Sequence, residues 1–164
     1  MSEITRVAVD AMGGDNAPQA TVLGAVAAAK DFGAQITLVG RGDQILEVMR
    51  ANGINDLPNG VEIANADEVV DMHDDPLKVM KEKPDSSMTV ALKALANGDG
   101  DALVSAGNTG ALLTEATLIV KRIRGIRRAA LAPITPTAEG NAILIDSGAN
   151  AECTPEYLYQ FALM

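Results

Sequence analysis

The sequence predicts an α/β layered fold with a mainly parallel sheet. Short β-type runs alternate with helical stretches along the chain. Three of those runs end in glycine-containing turns that lead directly into helices. Hydrophobic residues make up 48 % and charged residues 21 % of 164 residues, enough to bury the core of a single domain.

Ile4 to Asp10 reads as the first strand, followed by a glycine-rich turn and a helix from Pro18 to Phe32. Gln35 to Gly40 is the second strand, with a helix over Asp43 to Asn52, and Val61 to Ala64 is a third, shorter strand. Asp75-Pro76 supplies a cap and first position for a short helix that Pro84 stops. Asp85-Ser86-Ser87 opens the next helix, running to Ala96, with Met88, Ala91, Leu92 and Leu95 at core-facing spacing. Ala102 to Ser105 is a strand and Gly110 to Val120 a helix. Ala130 to Ile134 and Ala142 to Asp146 read as two more strands, separated by the turn-rich segment Thr135 to Asn141. Thr154-Pro155-Glu156 starts a last helix, in which Leu158, Phe161, Ala162 and Leu163 are followed by no stop signal; the chain is therefore expected to be cut within that helix.

Composition excludes some functions. The net charge of −9 and the 2 % aromatic content oppose binding to a phosphate backbone or stacking on bases, so no nucleic-acid partner is expected. Cys153 is the single cysteine, which leaves no thiolate cluster for zinc and suits a reducing, cytoplasmic setting. The start MSEITRVAVDAMGG has no signal-peptide pattern, and no apolar run reaches the ~18 residues of a membrane span. No metal site and no cofactor are expected.

The glycine turns are the candidate sites, because the carboxyl edge of an open α/β sheet is where ligands bind and where helix N-termini face anions. In DAMGGDNAP, Gly13 and Gly14 permit close approach, and Asp15 or Asn16 can cap the helix; an anion site and a plain strand-to-helix turn are both open. SAGNTGA, with Ser105, Gly107, Asn108, Thr109 and Gly110, suits phosphate through small residues, two hydroxyls and an amide, against the plainer reading of Thr109 as a cap. In DSGAN, Asp146 and Asn150 either orient a substrate group or bind a metal, or only form the turn. Neither the dinucleotide G-x-G-x-x-G nor the P-loop lysine pattern is present in these turns. Lys78, Lys81 and Lys83 bring positive charge near Ser86 and Ser87, either for an anion or as solvated lysines beside a helix cap. KRIRGIRR, Lys121 to Arg128, holds five basic residues in eight and is either a solvated face or a docking surface for an acidic protein or anionic lipid. His73 reads as a surface residue, and Cys153 as packed rather than reactive.

Taken in order, DAMGGD, the SSM helix start, VSAGNTGALL and LIDSGANAECTPEYLYQFALM resemble the PlsX-type phosphate acyltransferases of bacterial phospholipid synthesis. The resemblance implies that residues 1–164 are the N-terminal portion of a protein about twice as long, with the C-terminal half absent. It implies a three-layer fold like the isocitrate and isopropylmalate dehydrogenases and the phosphotransacetylases, and commonly a homodimer. It implies transfer of a fatty acyl group from acyl carrier protein to inorganic phosphate, giving acyl phosphate for phosphatidic acid synthesis. A peripheral place on the inner membrane face, beside a glycerol-3-phosphate acyltransferase, is also implied. On this reading Asn108, Thr109 and Lys83 are catalytic. Asp10, Gly13, Gly14, Asp15, Ser86, Ser87, Ser105, Gly107, Gly110, Asp146 and Asn150 shape the phosphate site. Three positions depart from the family pattern: Lys81 stands where Arg is usual, and in GIRRAALA Arg127 replaces an acidic residue and Ala129 a proline. A coenzyme A-dependent phosphotransacetylase and a noncatalytic fragment that binds phosphate or dimerises are the alternatives.

Overall fold

The computed structural model describes residues 4–150 and 152–164. They form two compact units, one ending at Val120 and one running from Lys121 to Met164.

The first unit is built on four parallel strands: β1 (Arg6–Asp10), β2 (Gln35–Gly40), β3 (Val61–Asn65) and β4 (Ala102–Val104), in the order β3-β2-β1-β4. Alternation along the strands sends one set of side chains to each face. Val9, Ile36 and Leu38 meet Val22, Ala25 and Ala29 of α1 (Gln19–Phe32) and Ile45 and Met49 of α2 (Gly42–Ala51). Val22, Ala25 and Ala29 stand at helical spacing, and the two small alanines let α1 lie close to the sheet. On the other face Ala8 and Val39 meet Ala91 of α4 (Ser87–Asn97). Met88 and Leu92 of α4 in turn pack with Ala111 of α5 (Thr109–Ile119). Helices thus cover both faces of a parallel sheet, the three-layer α/β arrangement that the alternating pattern predicts. Leu38 has no exposed surface, so its truncation to alanine costs about 2–5 kcal/mol.

The order of strands matters for function. The chain runs from β1 outward through β2 and β3, then returns to the opposite side of β1 as β4. Between β1 and β4 the connections leave in opposite directions, which opens a crevice at the carboxyl ends of the two strands. The expected helix after Asp75-Pro76 proves to be a turn closed on Asp75, and α3 itself is only Val79–Glu82.

In the second unit the expectation of two strands at 130–134 and 142–146 separated by a long turn needs correction. The strands are β5 (Ile134–Thr137) and β6 (Gly140–Ile143), an antiparallel hairpin rather than additions to a parallel sheet. Pairing reaches into the segment read as turn, with Pro136 opposite Asn141. It then continues as isolated bonds from Leu144 N to Pro133 O and from Ser147 N to Leu131 O. Pro136 is tolerated because β5 is an edge strand of a two-stranded sheet. The last helix, α6 (Pro155–Leu163), starts as expected, with the Thr154 side chain accepting from Tyr157 N.

Candidate functional site

The crevice is organised around Asp10, the last residue of β1, which is only 2 % exposed. Its Oδ1 accepts from the Ser87 hydroxyl at 2.6 Å and from Met12 N at 3.2 Å, and its Oδ2 accepts from the Ser105 hydroxyl at 2.8 Å. Ser105 Oγ accepts in turn from Gly107 N at 3.2 Å. One carboxyl group therefore ties together the ends of β1 and β4 and the start of α4. A buried carboxyl with three donors is both rigid and expensive to disturb.

The two glycine turns press against each other at the same point. A Cβ on Gly13 would sit 2.4 Å from Asp10 Oδ2 and 3.0 Å from Gly107 N. A Cβ on Gly107 would sit 3.3 Å from Gly13 Cα. Gly14 has φ of 112°, a conformation that side chains resist, and lies against Ala106. Glycine is needed here for close approach of backbone to backbone. Asp15 is exposed on the turn and makes no cap bond to α1.

Asn108 caps α5: its Oδ1 accepts from Ala111 N at 3.0 Å. Its Nδ2 donates to Asp71 O at 3.1 Å, with Asp74 O at 3.4 Å and Met72 O at 3.5 Å. The side chain is thus fully engaged in bracing the 71–74 loop. Thr109 and Gly110 are exposed at the start of α5. Their amides belong to the first turn, where backbone N–H groups have no intrahelical partner.

Lys83 braces the same loop from the other side. Its Nζ donates to Val69 O at 2.8 Å and pairs with the Asp74 carboxylate. That bond, joined by the Asp71 N–H, holds the Asp74 carboxyl below the usual range. Ser86 is fully buried as the cap of α4, accepting from Thr89 N at 3.2 Å. Ser87, next to it, is the residue that reaches Asp10. Lys81 is exposed on α3, and Lys78 pairs with Asp75 at 3.3 Å.

The structure therefore brings Asp10, Gly13, Gly14, Ser87, Ser105 and Gly107 together at the crevice. Asn108, Thr109 and Gly110 follow on its α5 side. Lys83 and Ser86 stand one layer behind, holding the 69–74 loop and the α4 start. Sequence reading missed Thr89 and Glu115, which are buried behind Ser86. The signal for Glu115 was a lone charge in the otherwise uncharged helix TGALLTEATLI.

Asp146 and Asn150 form a cluster within the second unit. Asp146, at φ 61°, accepts from Asn150 Nδ2 at 2.8 Å and from Cys153 Sγ at 2.8 Å. Asn150 also donates to Ala129 O at 3.1 Å. The thiol and amide donors hold the Asp146 carboxyl below its usual range, and the same carboxyl pushes the Cys153 thiol up. In the basic run, Arg127 pairs with Glu156 at 3.0 Å and Arg128 lies 5.9 Å over the Tyr157 ring, while Lys121, Arg122 and Arg124 are exposed. Among the described residues no cluster of three or more His, Cys, Asp or Glu can hold a metal, and no helix is long and apolar enough to cross a membrane.

A parallel sheet with a glycine-lined crevice at the point where strand order reverses places the chain in the open α/β class, whose ligands sit at that edge. The chain belongs to the family described as "Fatty acid synthesis protein", which matches residues 5–164. It is similar to the phosphate acyltransferase of Geotalea daltonii, 46 % identical over 159 residues, covering 97 % of this chain and 45 % of that protein. Phosphate acyltransferases of Geobacter sulfurreducens (46 % identical; 97 % of this chain, 45 % of that protein) and Dictyoglomus turgidum (44 % identical; 97 % and 47 %) are similarly related. The chain spans about half the length of the curated relatives it matches.

Proposed function

We propose that the chain is the N-terminal portion of an enzyme that transfers a fatty acyl group from acyl carrier protein to inorganic phosphate, with phosphate held in the crevice between β1 and β4. The observation that carries this reading is the meeting of the Gly13-Gly14 and Gly107 turns over Asp10, beside the open first turn of α5. Helix N-termini with free amides favour anions.

The chemistry asks little of side chains. A phosphate oxygen attacks the thioester carbonyl carbon, the carbon–sulfur bond breaks, and the carrier leaves as a thiolate. A thiol of pKa ~8.5 departs without a strong acid. The enzyme's work is to hold phosphate in line and stabilise the developing oxyanion. In this assignment the Thr109 hydroxyl and the Thr109 and Gly110 amides contact phosphate. Asn108 and Lys83 act by fixing the 71–74 loop, and Asp10 fixes both glycine turns. The exposed Lys121, Arg122 and Arg124 supply a surface for an acidic carrier protein.

Hydroxylamine trapping of acyl phosphate tests the reading, using a protein extended to the length of the relatives. Acyl phosphate should form from acyl-carrier protein and phosphate, and the Asn108→Ala, Thr109→Ala double variant should raise the phosphate KM at least ~10-fold. Unchanged kinetics in the variant would remove the assignment. Turnover with acyl-coenzyme A alone would favour a phosphotransacetylase. Phosphate binding without turnover in the extended protein would leave only a binding module.

A further inference from the structure

Glu115 is a buried carboxyl that the proposed reaction does not use. It has no exposed surface, no ion pair among the described residues, and its Oε1 has no hydrogen-bond partner. Its Oε2 lies 2.9 Å from Thr89 Oγ1, and Thr89 Oγ1 lies 2.8 Å from Ser86 Oγ. Ser86 caps α4, and the next residue, Ser87, donates to Asp10 in the crevice. A continuous line of side-chain bonds and one helical turn thus runs from α5 to the floor of the crevice. We propose that Glu115 is a positioning residue for this crevice, acting through Thr89 and Ser86 to hold the first turn of α4 against Asp10. The inference rests on the phosphate reading above and adds a residue to it.

The direction of hydrogen bonding decides how the device works. An ionised Glu115 is acceptor-only, so it takes the Thr89 proton, and Ser86 must then donate to Thr89. A neutral Glu115 reverses this. Its proton belongs on Oε2, because an acid O–H on Oε1 would be a buried donor with no partner, a costlier defect than an unpaired carbonyl oxygen. Oε2 then donates to Thr89, and Thr89 donates to Ser86. Ser86 Oγ then accepts from both the Thr89 hydroxyl and Thr89 N, and its own buried O–H has no acceptor among the described residues unless Thr89 turns instead to Lys83 O at 3.5 Å. The ionised arrangement gives every hydroxyl an acceptor, and a Ser86 that donates to Thr89 is the stronger cap. Burial pushes the Glu115 carboxyl up, the Thr89 bond and the Lys93 charge on α4 oppose that shift, and Asp10 on β1 reinforces it. No other ionisable side chain lies on α5.

The experiment uses the extended protein, with inorganic phosphate as the variable substrate across a pH series. Thr89→Val and Glu115→Leu should each raise the phosphate KM ~3–10-fold with a smaller change in kcat, and the double variant should be no worse than either. Glu115→Gln, whose amide oxygen can accept from Thr89 as the carboxylate does, should recover part of that loss. It should also abolish a rise in phosphate KM that the unsubstituted protein shows as pH falls through the Glu115 ionisation. A carboxylic-acid infrared band that disappears in Glu115→Gln reports the neutral acid without any turnover. Absence of acyl phosphate would count against the phosphate reading alone. Retained turnover with additive Thr89 and Glu115 effects, or a pH profile that Gln does not alter, would overturn this proposal.

Discussion

Replacing Gly13 with alanine is the sharpest probe of the crevice. The new methyl carbon would lie 2.4 Å from Asp10 Oδ2, well inside contact distance, and 3.0 Å from both Asp10 Cγ and Gly107 N. Neither neighbour moves freely. Asp10 is pinned by the hydroxyls of Ser87 and Ser105, and Gly107 N by Ser105. Overpacking alone costs about 1–3 kcal/mol. Relief by rotating Asp10 would break at least one bond to its carboxyl group, worth roughly 1–2 kcal/mol. The two routes compete and the cheaper one is taken, so the net loss should be about 1–2 kcal/mol. The control is Gly24→Ala in α1, where an added Cβ meets nothing within 4 Å and helix propensity predicts a gain of roughly 0.5–1 kcal/mol. Urea unfolding of both variants, followed by far-ultraviolet circular dichroism, measures the difference. A Gly13→Ala midpoint equal to that of the unsubstituted chain would show that the turns do not meet as described.

Other outcomes follow from the same contacts. Asp74 has a lowered carboxyl pKa in the folded chain, so its contribution to stability is present above the unfolded value of ~3.9 and lost as pH falls through the folded one. Lys83→Met should therefore flatten the acid limb of the stability curve, measured by melting temperature between pH 2 and 6 (about the range where carboxylates titrate). Asp146→Asn removes the charge that raises the Cys153 thiol, so iodoacetamide should label Cys153 faster near neutral pH, as followed by mass spectrometry. An equal labelling rate would contradict the 2.8 Å thiol–carboxylate contact.

Much of the first unit was legible because each local signal agreed with the fold. Gly13-Gly14 and Gly107 follow apolar runs and precede helices, and Ser86 stands where a cap belongs. The roles of Asn108 and Lys83 were harder to read. Both carry phosphate-binding chemistry in their side chains, yet both spend it on the 69–74 loop, a long-range contact no local pattern encodes. Thr89 and Glu115 share no segment and meet only because α4 and α5 pack together. The hairpin misled for a different reason: Thr135 to Asn141 is rich in turn-forming residues, and only the register shows Thr135 to Thr137 paired with Gly140 to Ala142.

Asp10 is bonded to hydroxyls 77 and 95 positions further along the chain. A nascent polypeptide emerging from the ribosome can pair β1 with β2 early, but Asp10 then waits for its partners. The crevice is among the last parts of this unit to assemble, because closing such long loops precedes any reward from the contacts they bring. The geometry of the crevice is therefore complete only once synthesis has passed Ser105 and β4 has joined the sheet.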